Sequence, residues 1–194
     1  LPTECPAELV PAGADCLRLL SLAEAQGNSA TVAEKRGLAP GTVAALHVGA
    51  AELFAEAERV VDRKAVLFAT PFSARAEAYM AWGQALSRAK ARRTLGAKFA
   101  LEERTGEAVA QGAAAKSEIE AAFKVEIRGE DPWRARRKAE KAALDVVAAR
   151  GGRENDSVYF ELVPQQPQPL PEGKMVVAIT AFVPPPPALH SLAI

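Results

Sequence analysis

Between residues 40 and 62 the apolar side chains Val43, Leu46, Ala50, Leu53, Phe54, Ala57 and Val61 recur at three- and four-residue steps, the repeat of one face of an amphipathic α-helix. A stripe of that width has to be covered, so its first use is core packing against another helix. Pro40 stands where a first-turn proline is tolerated, and Gly37 upstream is a stop for the preceding helix. That preceding helix is expected to begin near Ala14, with Cys16, Leu17, Leu20 and Ala23 on one face. Gly27, Asn28 and Ser29 weaken it before it resumes to about Lys35.

Downstream, Pro71 opens a helical region in which Ala74, Ala78, Ala81, Ala85 and Leu86 form a lane of small side chains that lets two helices approach closely. Gly96, Gly106 and Gly112 are its candidate breaks, and Ile119, Ala122, Phe123 and Ile127 close the following helix. Asp131-Pro132 reads as an N-cap followed by a first-turn proline, and Gly151-Gly152 as the stop of a helix over residues 132–150. Helices are therefore expected over most of residues 14–150, with Leu17, Leu20, Leu53, Phe54, Phe123 and Leu144 buried. From Ser157 the pattern changes: extended pieces at 158–163 and 175–183 alternate with proline-rich stretches at 164–171 and 184–187. Apolar residues in such a segment are costly to leave in water, so a strap lying along the helices is expected, burying Tyr159 or Phe160. The fold class that results is all-α: a solenoid-like, tetratricopeptide-like layer of antiparallel helices with an extended proline-rich C-terminal strap over residues 157–187.

Charge and composition narrow the functional classes. Lysine plus arginine and aspartate plus glutamate both total 24, so no global field draws the chain to nucleic acid or an anionic membrane. No apolar run approaches the ~18 residues of a membrane span. Cys5 and Cys16 have no histidine or cysteine partners at ligand spacing, which disfavours zinc. Two reduced thiols in a cytosolic protein is the preferred reading, with one disulfide left open. His47 is a lone helical histidine without a motif-placed nucleophile, expected on the surface or half-buried, and Gly151-Gly152 follows a helix instead of opening one, so it is no phosphate cradle. Neither a catalytic residue nor a cofactor or metal site is expected. The basic residues Arg88, Lys90, Arg92, Arg93 and Lys98, with a second run at Arg134, Arg136, Arg137, Lys138 and Lys141, allow two readings. One is a positive stripe for peripheral membrane contact, at roughly 1 kcal/mol per cation. The other is i to i+4 pairing with Glu102, Glu103 and Glu140. Stacking aromatics are missing from both runs, which disfavours RNA.

Two strings carry a resemblance. Residues 154–164 read E-N-D-S-V-Y-F-E-L-V-P, in which the Asn-Asp pair interrupts the helix and Val163, preceding proline, is held extended. The string resembles the tail of the Bro-one domain, the endosomal-sorting domain of ALIX-type proteins, where N-D-x-[IV]-Y-x-x-x-V-P follows the last helix. Independently, residues 22–54, with L-A-E-A-Q, then Leu46, then A-A-E-L-F, align without a gap to two helices of that family. The resemblance covers what looks like the C-terminal half of the domain, and a chain starting at Leu1 is read as part of a longer one, with an apolar face exposed on residues 14–62. It implies a non-enzymatic, cytoplasmic, endosome-associated adaptor of multivesicular-body transport. Its partner would be a protein, the tail helix of an ESCRT-III subunit, and not a small-molecule substrate. The matching contact positions are Ser29, Thr42 and Leu46, with Val43 able to replace Thr42 and Ala50 one turn on. A scaffold of the same fold without ESCRT-III binding, and an unrelated cytosolic helical domain, are the alternatives.

Overall fold

The computed structural model describes residues 11–64, 73–124 and 133–176. Five helices follow one another, α1 (Pro11–Lys35), α2 (Pro40–Lys64), α3 (Ala74–Leu101), α4 (Thr105–Lys124) and α5 (Arg134–Glu154), each packed antiparallel on its neighbour, with no strand among the described residues. This is the expected all-α layer of antiparallel helices. Cys5, Pro71, Ile127 and the Asp131-Pro132 pair lie outside the described residues.

Several boundaries differ from the sequence reading, each for a local reason. Helix α1 starts at Pro11 and runs unbroken through Gly27, Asn28 and Ser29, because Ala23, Gln26, Ala30 and Ala33 bury one continuous face against α2, and packing outweighs the weak local propensity. Gly37 does end it. The Gly37 and Leu38 amides donate to the Glu34 and Ala33 carbonyls, and Gly37 takes a φ of 72°, the left-handed closure that glycine favours. Gly96 and Gly112 sit inside α3 and α4, and Gly106 in the first turn of α4, so none of them is a break. The turn between α3 and α4 uses the same closure at Glu103, φ 59°, with the Glu103 and Arg104 amides donating to the Ala100 and Phe99 carbonyls. Arg104 holds it by laying its guanidinium over the Phe99 ring at 4.4 Å and pairing with Glu102 and Glu107. Gly151-Gly152 is likewise no stop: α5 continues to Glu154 and then through a π-turn, Asn155–Tyr159, which ends at Phe160 in the left-handed region. Residues 161–176 carry no regular secondary structure, with bends at 165–166 and 176.

Leu144 and Phe54 are buried as expected, while Leu20 and Leu53 are partly buried against Cys16, Leu19, Ala57, Val61 and Met80. Leu17 and Phe123 are instead exposed, since each falls just off the buried lane of its helix. Exposed large apolar side chains on the α1–α2 hairpin are Leu17, Val32 and Leu38. The main cluster gathers Trp82, Leu86 and Ala89 from α3, Ala115 and Ile119 from α4, and Leu144 from α5. Trp133 stacks on Trp82 at 5.4 Å and lies 4.7 Å from the Tyr79 ring, and Phe54 meets Tyr79 edge-on at 5.7 Å. Tyr159 and Phe160 are not covered. They stand half-exposed and 74% exposed, because the π-turn carries them past the end of the stack.

Two glycine positions test this packing. A Cβ at Gly83 would come within 2.5 Å of the buried Phe54 ring, whereas one at Gly112 would meet Ala148 at 3.9 Å, an ordinary contact. Gly83→Ala should therefore destabilise by about 1–3 kcal/mol despite the better helix former, and Gly112→Ala should stabilise by roughly 0.5–1 kcal/mol, as read by thermal melts. Replacing Glu103 by glycine, which relieves its left-handed strain, should raise the melting temperature if the Arg104 contacts survive. A lower melt in that variant would show that the turn needs its side chain.

Candidate protein-binding site

The structure divides the five candidate partner-binding residues between two environments. Val43 and Leu46 pack against Ala30 and Ala33 of α1, Leu46 being 5% exposed, and Ala50 is fully buried beside Gly27. These three belong to the α1–α2 contact and offer no outward groove. They correct the expectation of an exposed stripe, since α1 covers the very face that the periodicity picks out. Ser29 and Thr42 are half-buried. The Ser29 hydroxyl donates back to the Ala25 carbonyl at 2.9 Å, while Thr42 lines an open hollow with Ala39, Lys98, Leu101, Pro171 and Lys174.

The extended segment forms the other wall of this region. Asn155, buried in the π-turn, donates to the Glu161 carbonyl at 3.0 Å and accepts from the Glu161 amide at 3.2 Å. Gln111 of α4 donates to the Gln168 carbonyl at 2.7 Å. Leu170 then packs on Ala44, Leu95, Phe99 and Ala108, and Gln26 of α1 binds the backbone at Lys174 and Val176. Gln26 is the buried polar contact that sequence reasoning missed. Its signal was present: a polar side chain in the Ala23, Gln26, Ala30, Ala33 lane, where every neighbour is buried.

The basic residues are engaged within the stack. Arg88 and Arg92 both reach Glu118, at 3.0 and 3.4 Å, and Arg92 also donates to Gln111. Arg93 of α3 joins three helices: its Nε donates to Glu140 of α5 at 2.7 Å, and its terminal nitrogens donate to Glu34 of α1 at 2.6 and 3.1 Å. Lys90 is half-buried, and burial, opposed by Glu140, pushes its ammonium pKa down. Of the i to i+4 pairings expected from sequence, Lys98–Glu102 is made, while Glu140 is engaged by Arg93 of another helix. Arg92 and Arg93 thus face helix interfaces, not a continuous outward stripe. His47, expected at the surface, is 1% exposed, with Nε2 4.0 Å from Glu34 and no hydrogen bond. Burial, reinforced by Lys90 and Arg93 and opposed by Glu34, drives its pKa down to about 3, so the imidazole is neutral. Burial alone would raise the Glu34 pKa, but its hydrogen bonds and charge interaction with Arg93 outweigh that and hold it low.

Among the described residues no group of three or more His, Cys, Asp or Glu could hold a metal ion, and no helix is long and apolar enough to cross a membrane. Searches of protein-family models and of curated proteins gave no match. Among solved structures, the ALIX BRO1 CHMP4C complex aligns with a TM-score of 0.73 over 90% of this chain and 47% of that one, at 18% identity. The fold is that of the Bro1 domain. ALIX in complex with the SIVmac239 PYKEVTEDL late domain aligns over 91% of this chain and 24% of its own, at 20% identity and a TM-score of 0.71. A Bro1 domain described as the structure basis for endosomal targeting aligns over 92% and 49%, at 15% identity and 0.72. The chain spans less than half the length of each of these structures, so its helical stack corresponds to part of a Bro1 domain. Within that Bro1-type stack the N-D-S-V-Y string is the π-turn, and the L-A-E-A-Q string carries Gln26.

The neutral imidazole in the core makes stability sensitive to acid. The folded pKa of His47 lies below its unfolded value of 6.5, so its contribution is complete above about pH 6.5 and is lost as pH falls toward 3. Between pH 7 and pH 4 the loss should be on the order of 3 kcal/mol. Melts of wild type and His47→Gln across that range check it, and parallel pH dependences in the two proteins would remove His47 from the account.

Proposed function

We propose that this chain is part of a non-enzymatic adaptor of endosomal sorting, cytoplasmic and endosome-associated, that works by binding a protein: the tail helix of an ESCRT-III subunit, in multivesicular-body transport. The observation that carries the reading is the alignment of 90% of the chain with the ALIX BRO1 CHMP4C complex. The two sequence strings add to it from separate helices. The paired state of Arg88, Arg92 and Arg93 supports protein contact, in preference to a membrane-facing basic stripe, as the mode of recruitment.

A helix seated in a groove needs apolar anchors at i, i+3, i+4 and i+7 on the receiving surface's complement. On this chain Val43, Leu46 and Ala50 are committed to the core, so the outward contact rests on Thr42, Ser29 and the exposed Val32 one turn further along α1. That shallow surface favours a second reading, a scaffold of the same fold that does not bind ESCRT-III.

Titration of the chain with an ESCRT-III tail peptide separates the two. Weak binding by wild type and about fivefold tighter binding by Thr42→Ile, from the added apolar area, support the adaptor. Leu46→Asp should unfold the α1–α2 pair, since a buried carboxylate there has no partner, and should lose helical signal instead of binding alone. If folded wild type and Thr42→Ile both fail to bind, the scaffold reading stands and the adaptor reading falls.

A further inference from the structure

Gln26 is 1% exposed and makes three hydrogen bonds. Its Nε2 donates to the Leu46 carbonyl at 3.1 Å and to the Lys174 carbonyl at 2.7 Å, and its Oε1 accepts from the Val176 amide at 3.0 Å. The bond to Leu46 fixes the rotamer, so the remaining N–H and the carbonyl oxygen face outward as an oriented pair. A C=O at one residue and an N–H two residues on are what a neighbouring β-strand would engage. The Lys174 amide donates in turn to the Ala45 carbonyl at 3.0 Å, using the second lone pair of a helix carbonyl in α2. Space is made by glycine on the α2 side: a Cβ at Gly49 would come within 2.6 Å of the Lys174 oxygen, whereas one at Gly173 would meet only the carboxylate end of the exposed Glu52 side chain, which can swing aside. The side chains of the seated segment are not what is bound, since Met175 and Val176 are 49% and 55% exposed.

We propose that Gln26, Ala45 and Gly49 form a backbone-reading peptide site whose resident occupant is this chain's own residues 173–176, and which takes an extended segment of another polypeptide when that occupant is lifted. The site is independent of the ESCRT-III reading, because it uses amides and a missing Cβ where that reading uses apolar area. The occupant is releasable for a physical reason. Leu170 anchors the preceding part of the strap in the Leu95–Phe99 cluster, whereas residues 173–176 are held by these three backbone bonds with little apolar burial, so they can open without unfolding the helices.

The test uses the full chain carrying Val176→Pro, which removes the N–H donated to Gln26 and lifts the strap end. Hydrogen exchange should show the Lys174 amide protected in wild type and unprotected in the variant, with α1 and α2 unchanged. A synthetic peptide of residues 171–177 should then bind the variant at roughly millimolar concentration and leave wild type untouched, because the tethered strap has an effective concentration in that range. Adding Gly49→Ala, which favours helix α2 but blocks the seat, should weaken peptide binding roughly tenfold or more, as should Gln26→Leu through the loss of two hydrogen bonds. The proposal is overturned if the Lys174 amide is equally protected in wild type and Val176→Pro, if the freed variant does not take the peptide, or if Gly49→Ala leaves binding unchanged. Should Gln26→Leu fail to fold, the Gly49→Ala comparison decides the matter alone.

Discussion

Pro164, Pro167, Pro169 and Pro171 remove the N–H groups that would let residues 160–176 join a sheet, yet the carbonyls of that segment lie against protein and need donors. Three buried amide side chains supply them: Asn155 at Glu161, Gln111 at Gln168 and Gln26 at Lys174. Each comes from a different helical element, so the segment ties the end of α5, α4 and α1 together. The glycines on that path follow from it. Gly106 and Gly49 stand where a Cβ would strike the Leu162 and Lys174 carbonyl oxygens, at 2.5 and 2.6 Å. A backbone close enough to bond with a buried amide is too close for side chains beneath it.

Within the stack, small residues set the spacing and charges set the register. Ala23, Ala30, Ala44, Ala50, Ala57, Ala89 and Ala115 are fully buried, which lets neighbouring helices approach closely but gives them little shape by which to choose one offset over another. The polar contacts supply the choice. Arg93 spans Glu34 and Glu140, and Glu24 takes both the Tyr79 hydroxyl and Arg136, so polar contacts key α1, α3 and α5, and in another offset Arg93 and Glu140 would be left largely buried and unpaired. His47 beside Glu34 remains neutral chiefly because burial disfavours its charged form, and Lys90 and Arg93 further oppose a positive charge there.

What the sequence made legible depends on whether a residue's role was local. The 40–62 stripe, the first-turn Pro40 and the Gly37 closure are written in spacing and φ preference, and α2 and its entry turn were read from them. Glu103 does at the next turn what Gly37 does at the first, but its stabiliser is the Arg104 contact with Phe99, which no propensity announces. Conversely, Gly96, Gly112, Gly151 and Gly152 look like breaks and are not, because helix-on-helix packing continues across them. The candidate site suffered from the same asymmetry. Periodicity identifies the face of α2 that is buried, and an expectation that placed Val43, Leu46 and Ala50 in an open groove asked one stripe to serve as core and as contact surface at once.

That conflict also says where binding capacity on the α1–α2 pair can reside. Apolar side chains at helical spacing are consumed by the partner helix, since leaving them uncovered would forfeit the burial that holds the hairpin together. A buried amide is different: once one N–H is anchored to Leu46, its second N–H and its carbonyl oxygen must still be satisfied, and the backbone running past the seam satisfies both. Gln26 therefore makes the pair incomplete by itself. The extended segment is not an ornament on a finished core but the group that closes it, and whatever replaces that segment must present the same C=O and N–H at the same separation.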